Sequence, residues 1–125
     1  MTHPTFDRYQ LNLLGKVIKM KDTKGKEYSN DDGERFANFN RLAAALNMTN
    51  IQIAWVYLAK HLDSIASYCR TGKSFSEEGI EGRIVDTITY LTLIAGMIEE
   101  NQRERLEPER LKNSVAFNSD EFVPL

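Results

Sequence analysis

An all-α bundle of three to four helices is the fold class this sequence predicts. Only three prolines punctuate the 125 residues. Apolar residues recur at spacings of three and four through several long windows, and no strand-like alternation runs longer than four residues. The length suits one domain with a single core, set here at residues 1–110, with an extended or flexible C-terminal tail over 111–125.

The first helix is predicted from Phe6, Tyr9, Leu13, Val17 and Met20, which share one face, with Leu14 and Ile18 widening the stripe. From Asp22 to Gly33 the pattern breaks into a polar run holding two glycines, which reads as a loop. A second, short helix is expected to start near Asp32, where acidic residues suit the positive end of the helix dipole. It presents Phe36, Phe39, Leu42, Ala43 and Leu46 on one side.

Thr49-Asn50-Ile51-Gln52 matches a capping box, with Thr at the N-cap and Gln three residues later. The helix it opens runs to about Arg70 along Ile51, Trp55, Leu58, Leu62, Ile65 and Tyr68, and Gly72 supplies the stop. Ser76 or a neighbour caps the last helix, whose first turn carries Glu77, Glu78 and Glu81. Ile84, Ile88, Leu91, Ile94, Ala95 and Ile98 continue it to about Leu106, short of Pro108, roughly 40 Å at 1.5 Å per residue. The charged run Glu99 to Arg105 reads as a solvated face. Ile53, Val56, Val85, Leu93 and Met97 lie off these stripes. Helices apolar on more than one face usually have a second partner, so a homo-oligomer, dimer or higher, through the third and fourth helices is expected.

Sixteen basic against eighteen acidic residues leave a formal charge of -2, without the basic excess that binding a nucleic-acid strand requires. Cys69 is the only cysteine, which excludes an internal disulfide and a cysteine-built zinc cage; it is expected to pack as a small apolar residue. No secretory signal and no membrane-spanning stretch are visible, so a cytoplasmic protein is expected.

Chemistry is carried by polar residues that interrupt the apolar faces of the two long helices. Arg83, Asp86 and Tyr90 recur at three and four residues and line one helix edge; Lys60 and Ser64 are likewise one turn apart, with Asp63 close by. On antiparallel neighbours two such edges face one another across a polar cleft suited to a phosphate-bearing ligand. The plain alternative is that Lys60 with Asp63, and Arg83 with Asp86, are ion pairs on solvated helix surfaces. His61 stands without a second histidine or cysteine at ligand spacing. Phe36 and Phe39 read as core.

The order of the pieces then matters: Lys24-Gly25-Lys26-Glu27-Tyr28-Ser29, Arg35-Phe36-Ala37-Asn38-Phe39, Lys60-His61-Leu62-Asp63-Ser64, and Arg83-Ile84-Val85-Asp86 followed by Tyr90. From Lys24 to Glu100 the chain resembles small phage and prophage proteins. These are akin to the nucleotide modification associated domain and to MazG-like all-α nucleotide pyrophosphohydrolases. The resemblance implies a helical, usually oligomeric protein that handles nucleotides in the cytoplasm of an infected host cell. By position it places Tyr28, Asn38 and Phe39 at the mouth of the site, Lys60 on phosphate, and Asp86 with Tyr90 along the cleft.

The MazG-like enzymes hold magnesium between paired acids on two helices, because that ion wants several oxygens in near-octahedral array. Here the third helix has one acid beside a cation. On the fourth, Glu78 and Glu81 are three apart and Asp86 is five beyond. Binding without a cofactor is therefore the first expectation. A magnesium-dependent pyrophosphohydrolase using Glu78, Glu81 and Asp86 is the second. A grip on a host protein, through the acidic end of the last helix or the Phe122-Val123-Pro124-Leu125 tail, is the third.

Overall fold

The computed structural model of the chain describes residues 1–28, 34–74, 77 and 79–118; side chains are described for 1–20, 34–74, 77 and 79–107. The architecture is all-α. Four helices follow in order: α1 (His3–Tyr28), α2 (Ala37–Leu46), α3 (Asn50–Thr71) and α4 (Gly79–Asn118). No single helix among the described residues is long and apolar enough to cross a membrane.

α3 and α4 are the antiparallel centre, α2 packs on α3, and α1 packs on α4. The boundaries of α3 follow local chemistry closely. Gln52 N–H donates to Thr49 Oγ1 (3.1 Å) while Thr49 N–H donates to Gln52 Oε1 (2.9 Å), the reciprocal capping box. At the other end Gly72 takes a left-handed conformation, φ 68°, and its N–H donates to the Tyr68 carbonyl. α2 closes on Asn47, also left-handed at φ 53°, a conformation asparagine tolerates better than most residues. The axes of α2 and α3 then differ by 101°, and Asn50 Nδ2 donates to Asn40 Oδ1 (3.0 Å) across the corner.

Several boundaries differ from the sequence reading. α1 continues to Tyr28 through residues expected to form a loop. Lys21, Lys24, Lys26 and Glu27 are good helix formers, and Gly25 costs only about 1 kcal/mol. α2 starts at Ala37, not near Asp32, with no side-chain cap at Phe36; Asp31, Asp32 and Gly33 lie outside the described residues. α4 passes Pro108 and ends at Asn118. Proline inside a helix costs about 3 kcal/mol, but strong helix formers stand on both sides, and residues 111–118 belong to this helix, not to an extended tail. Residues 119–125, and with them Phe122 to Leu125, lie outside the described residues.

The larger correction concerns which apolar line is the core. Ile53, Val85 and Met97, read as off the stripes, are buried together with Val17, Ala43, Ala54 and Leu58. Trp55, Leu62, Leu91 and Ile98, read as stripe residues, are exposed. Periodicity finds every apolar line on a helix but cannot rank two lines of similar strength. Cys69, expected inside, is exposed as well.

Candidate functional site

Where α2, α3 and α4 converge, four rings and a guanidinium meet. Tyr57 and His61 stand one turn apart on α3, and Tyr90 of α4 stacks against both. Its centroid lies 6.0 Å from Tyr57 at an interplanar angle of 22°, and 5.4 Å from His61 at 26°. Phe39 of α2 meets Tyr57 and Tyr90 edge-on at 6.1 and 6.4 Å, the geometry ring quadrupoles favour. The row ends on α4, where Arg83 Nη1 donates to His61 Nδ1 at 3.1 Å. Tyr57 remains 41% exposed, so one end of the row faces solvent while the other is half-buried.

The α4 backbone supplies the polar accounting that lets this helix carry hydroxyls on its inner side. Thr87 Oγ1 donates to the Arg83 carbonyl (2.7 Å) and Thr89 Oγ1 to the Val85 carbonyl (2.9 Å), so neither hydroxyl is left unmet. Arg83 is less complete. Its Nε is buried and has no hydrogen-bond partner, which costs on the order of 1–3 kcal/mol for such a group. Asp86, one turn on, is buried at 5% exposure.

Of the residues expected in the site, the structure gathers Phe39, Arg83, Asp86 and Tyr90 on the α2–α3–α4 side. Asn38 is half-buried on α2. Lys60 and Asp63 are exposed. His61, one residue on and about 100° around the helix from Lys60, is the side chain that meets Arg83. The Tyr28 side chain and Glu78 lie outside the described residues. Arg83 and Asp86 are not a solvated surface pair, because Arg83 is half-buried against His61 and Asp86 is enclosed.

Glu81 is held elsewhere, in an ion pair with Lys16 that ties α1 to α4. The hydrogen bond to this carboxylate, and then its charge, raise the Lys16 ammonium above its ordinary value of 10.5. Five residues of helix turn Asp86 about 140° away from Glu81. Among the described residues no three of His, Cys, Asp and Glu are grouped to hold a metal ion. Glu81 and Asp86 thus face different sides of α4, and Glu78, the third acid of the expected set, lies outside the described residues.

Sequence reasoning passed over Tyr57, and weighed His61 only as a metal ligand rather than as a partner of Arg83. A signal was present: positions 57 and 61 are one turn apart on α3, as 86 and 90 are on α4, and only polar or aromatic residues fill them. In comparison with known proteins, no family model, curated protein or solved structure matches this chain.

Proposed function

We propose that the α2–α3–α4 cleft binds a nucleotide or similar small ligand that joins a flat ring to a phosphate. One observation carries the reading. A stacked row of Tyr57, Tyr90 and His61 ends on a guanidinium with donor capacity left over. Aromatic faces accept a base with little sequence preference, worth roughly 1–3 kcal/mol per base. A planar guanidinium matches phosphate oxygens in a way an ammonium does not. Exposed Tyr57 offers the ring face, and half-buried Arg83 offers the charge where low dielectric strengthens it.

Binding without turnover is favoured over pyrophosphate hydrolysis. Hydrolysis at a magnesium centre needs clustered carboxylates, whereas Glu81 is engaged by Lys16 and Asp86 faces another side of α4. The nucleotide reading is tested by calorimetric titration of the folded chain with nucleoside mono-, di- and triphosphates, with and without magnesium. Saturable heat that disappears in Arg83→Ala and weakens in Tyr57→Ala supports it. A flat titration across the panel with folded protein overturns it.

A further inference from the structure

His61 and Arg83 join α3 to α4 through a bond that one proton decides. Arg83 Nη1 donates to His61 Nδ1 at 3.1 Å, and a guanidinium has no acceptor to offer in return. The contact forms only while Nδ1 is unprotonated. Histidine is the side chain that ordinarily changes charge between pH 5 and 8. Once Nδ1 carries a proton, donor faces donor and two cations meet. Both residues are half-buried, where water and salt screen that repulsion least.

The charges enclosed with His61 are few. It touches Arg83 and stacks on Tyr90. Asp86 lies between those two on the same edge of α4, three residues after Arg83 and four before Tyr90, and is buried. On α3 the charged neighbours Lys60 and Asp63 are exposed. On and before α2, Glu34, Arg35 and Arg41 are exposed as well, and the ring this helix brings to the row is Phe39. From α1, Lys16 pairs with Glu81. The remaining titratable groups of the row are the phenols of Tyr57 and Tyr90. Among the described residues, Arg83 and Asp86 are therefore the charges shut in with the imidazole. With Asp86 a carboxylate, this trio is neutral while His61 is neutral and gains one positive charge when His61 takes a proton.

We propose that the His61–Arg83 bond is an acid-released latch between α3 and α4: proton uptake at Nδ1 breaks it and frees Arg83 Nη1 to take an anion. The released Nη1 joins Nε of the same guanidinium, which is buried without a hydrogen-bond partner, and two such donors suit the oxygens of one phosphate. The latch itself needs no ligand. Its consequence for the cleft rests on the nucleotide reading: a phosphate binds more tightly at the acid end of the range, and by linkage its binding draws a proton onto His61.

The test is an NMR titration of the free full chain from pH 8 to 5. It follows the His61 ring, the Arg83 guanidinium and the methyls of buried Ala54 and Met97. Expected is one midpoint shared by His61 and Arg83, with the methyls unmoved. A coupling across the Nη1–Nδ1 bond is present at pH 8 and gone below that midpoint. In His61→Phe the Arg83 signals no longer move with pH. An Arg83 guanidinium that stays fixed while His61 titrates overturns the latch, and so does a His61 ring that takes no proton by pH 5. Methyls that shift at the same midpoint mean unfolding in place of release and overturn it too. Wild type alone decides all three.

A second arm uses dithymidine monophosphate, whose phosphodiester keeps one negative charge throughout. It is expected to bind about tenfold tighter at pH 5.5 than at pH 7.5, with the difference absent in His61→Phe. Equal binding at both pH values overturns the latch's control of the cleft. No binding at either pH counts against the nucleotide reading alone, because the free-chain titration has already decided the latch.

Discussion

Arg83 Nη1 and His61 Nδ1 lie 3.1 Å apart, and only one direction of donation is open to them. A guanidinium has five N–H donors and no acceptor, so His61 accepts at Nδ1. The contact therefore requires Nδ1 to be unprotonated. Long-range ¹⁵N–¹H correlation spectra at neutral pH are expected to show His61 as the Nε2–H tautomer. A protonated Nδ1 would mean the contact does not exist in solution.

Replacing that acceptor costs stability. His61→Phe keeps a ring against Tyr90 but leaves Arg83 Nη1 without its partner, a loss of about 1 kcal/mol or somewhat more for a half-buried donor. His61→Asn offers an acceptor oxygen on a shorter side chain and is expected to lose the stack instead. Urea unfolding of both variants separates the two contributions. Equal stability of wild type and His61→Phe would show the bond to be worth nothing net.

The Lys16–Glu81 pair links α1 to α4 and carries its own pH signature. The folded-state value of Lys16 is raised, so the folded chain holds this proton more tightly than the unfolded chain. Its contribution is therefore complete below 10.5, the ordinary value, and is lost as pH rises through the folded value. Both partners are exposed, so the effect is small and screened by salt. Alkaline unfolding of Lys16→Met is expected to converge with wild type at high pH, and the gap at neutral pH to shrink in molar salt. A gap that widens with pH would contradict the assignment.

Backbone positions give predictions of opposite sign. Gly15 lies inside α1, where an added Cβ meets nothing within 4 Å. Gly15→Ala should therefore stabilise by about 0.5–1 kcal/mol through helix propensity. Gly72, at φ 68°, should lose about 1 kcal/mol on conversion to alanine, and Thr49→Ala about the same through its cap. Thermal unfolding of the three variants checks the signs together.

Local chemistry made the helices of this chain legible, and the lack of it hid their far ends. The Thr49–Gln52 box and Gly72 mark α3 because a cap is a bond between near neighbours and needs no tertiary partner. The sequence carries no such signature just after Gly25 or Pro108, and there α1 and α4 run past these breakers. The burial pattern was legible only in part, for a related reason. α3 and α4 each carry two apolar lines, and the choice between Ile53 and Trp55, or Met97 and Leu91, depends on which neighbour arrives. The candidate site followed the same rule: Arg83, Asp86 and Tyr90 could be read from one helix. That His61 rather than Lys60 faces Arg83 depends on how α3 is rotated against α4, which no single-helix pattern contains.

The central claim, that this cleft holds a base against Tyr57 and a phosphate near Arg83, meets its most direct test in NMR titration of the folded chain with a nucleoside triphosphate. The prediction is saturable shifts of the Arg83 Nε–H and of the Tyr57 and Tyr90 ring resonances at one common midpoint, with Lys16 and its surroundings unmoved. Resonances of Arg83, Tyr57 and Tyr90 that stay fixed at millimolar nucleotide would contradict it.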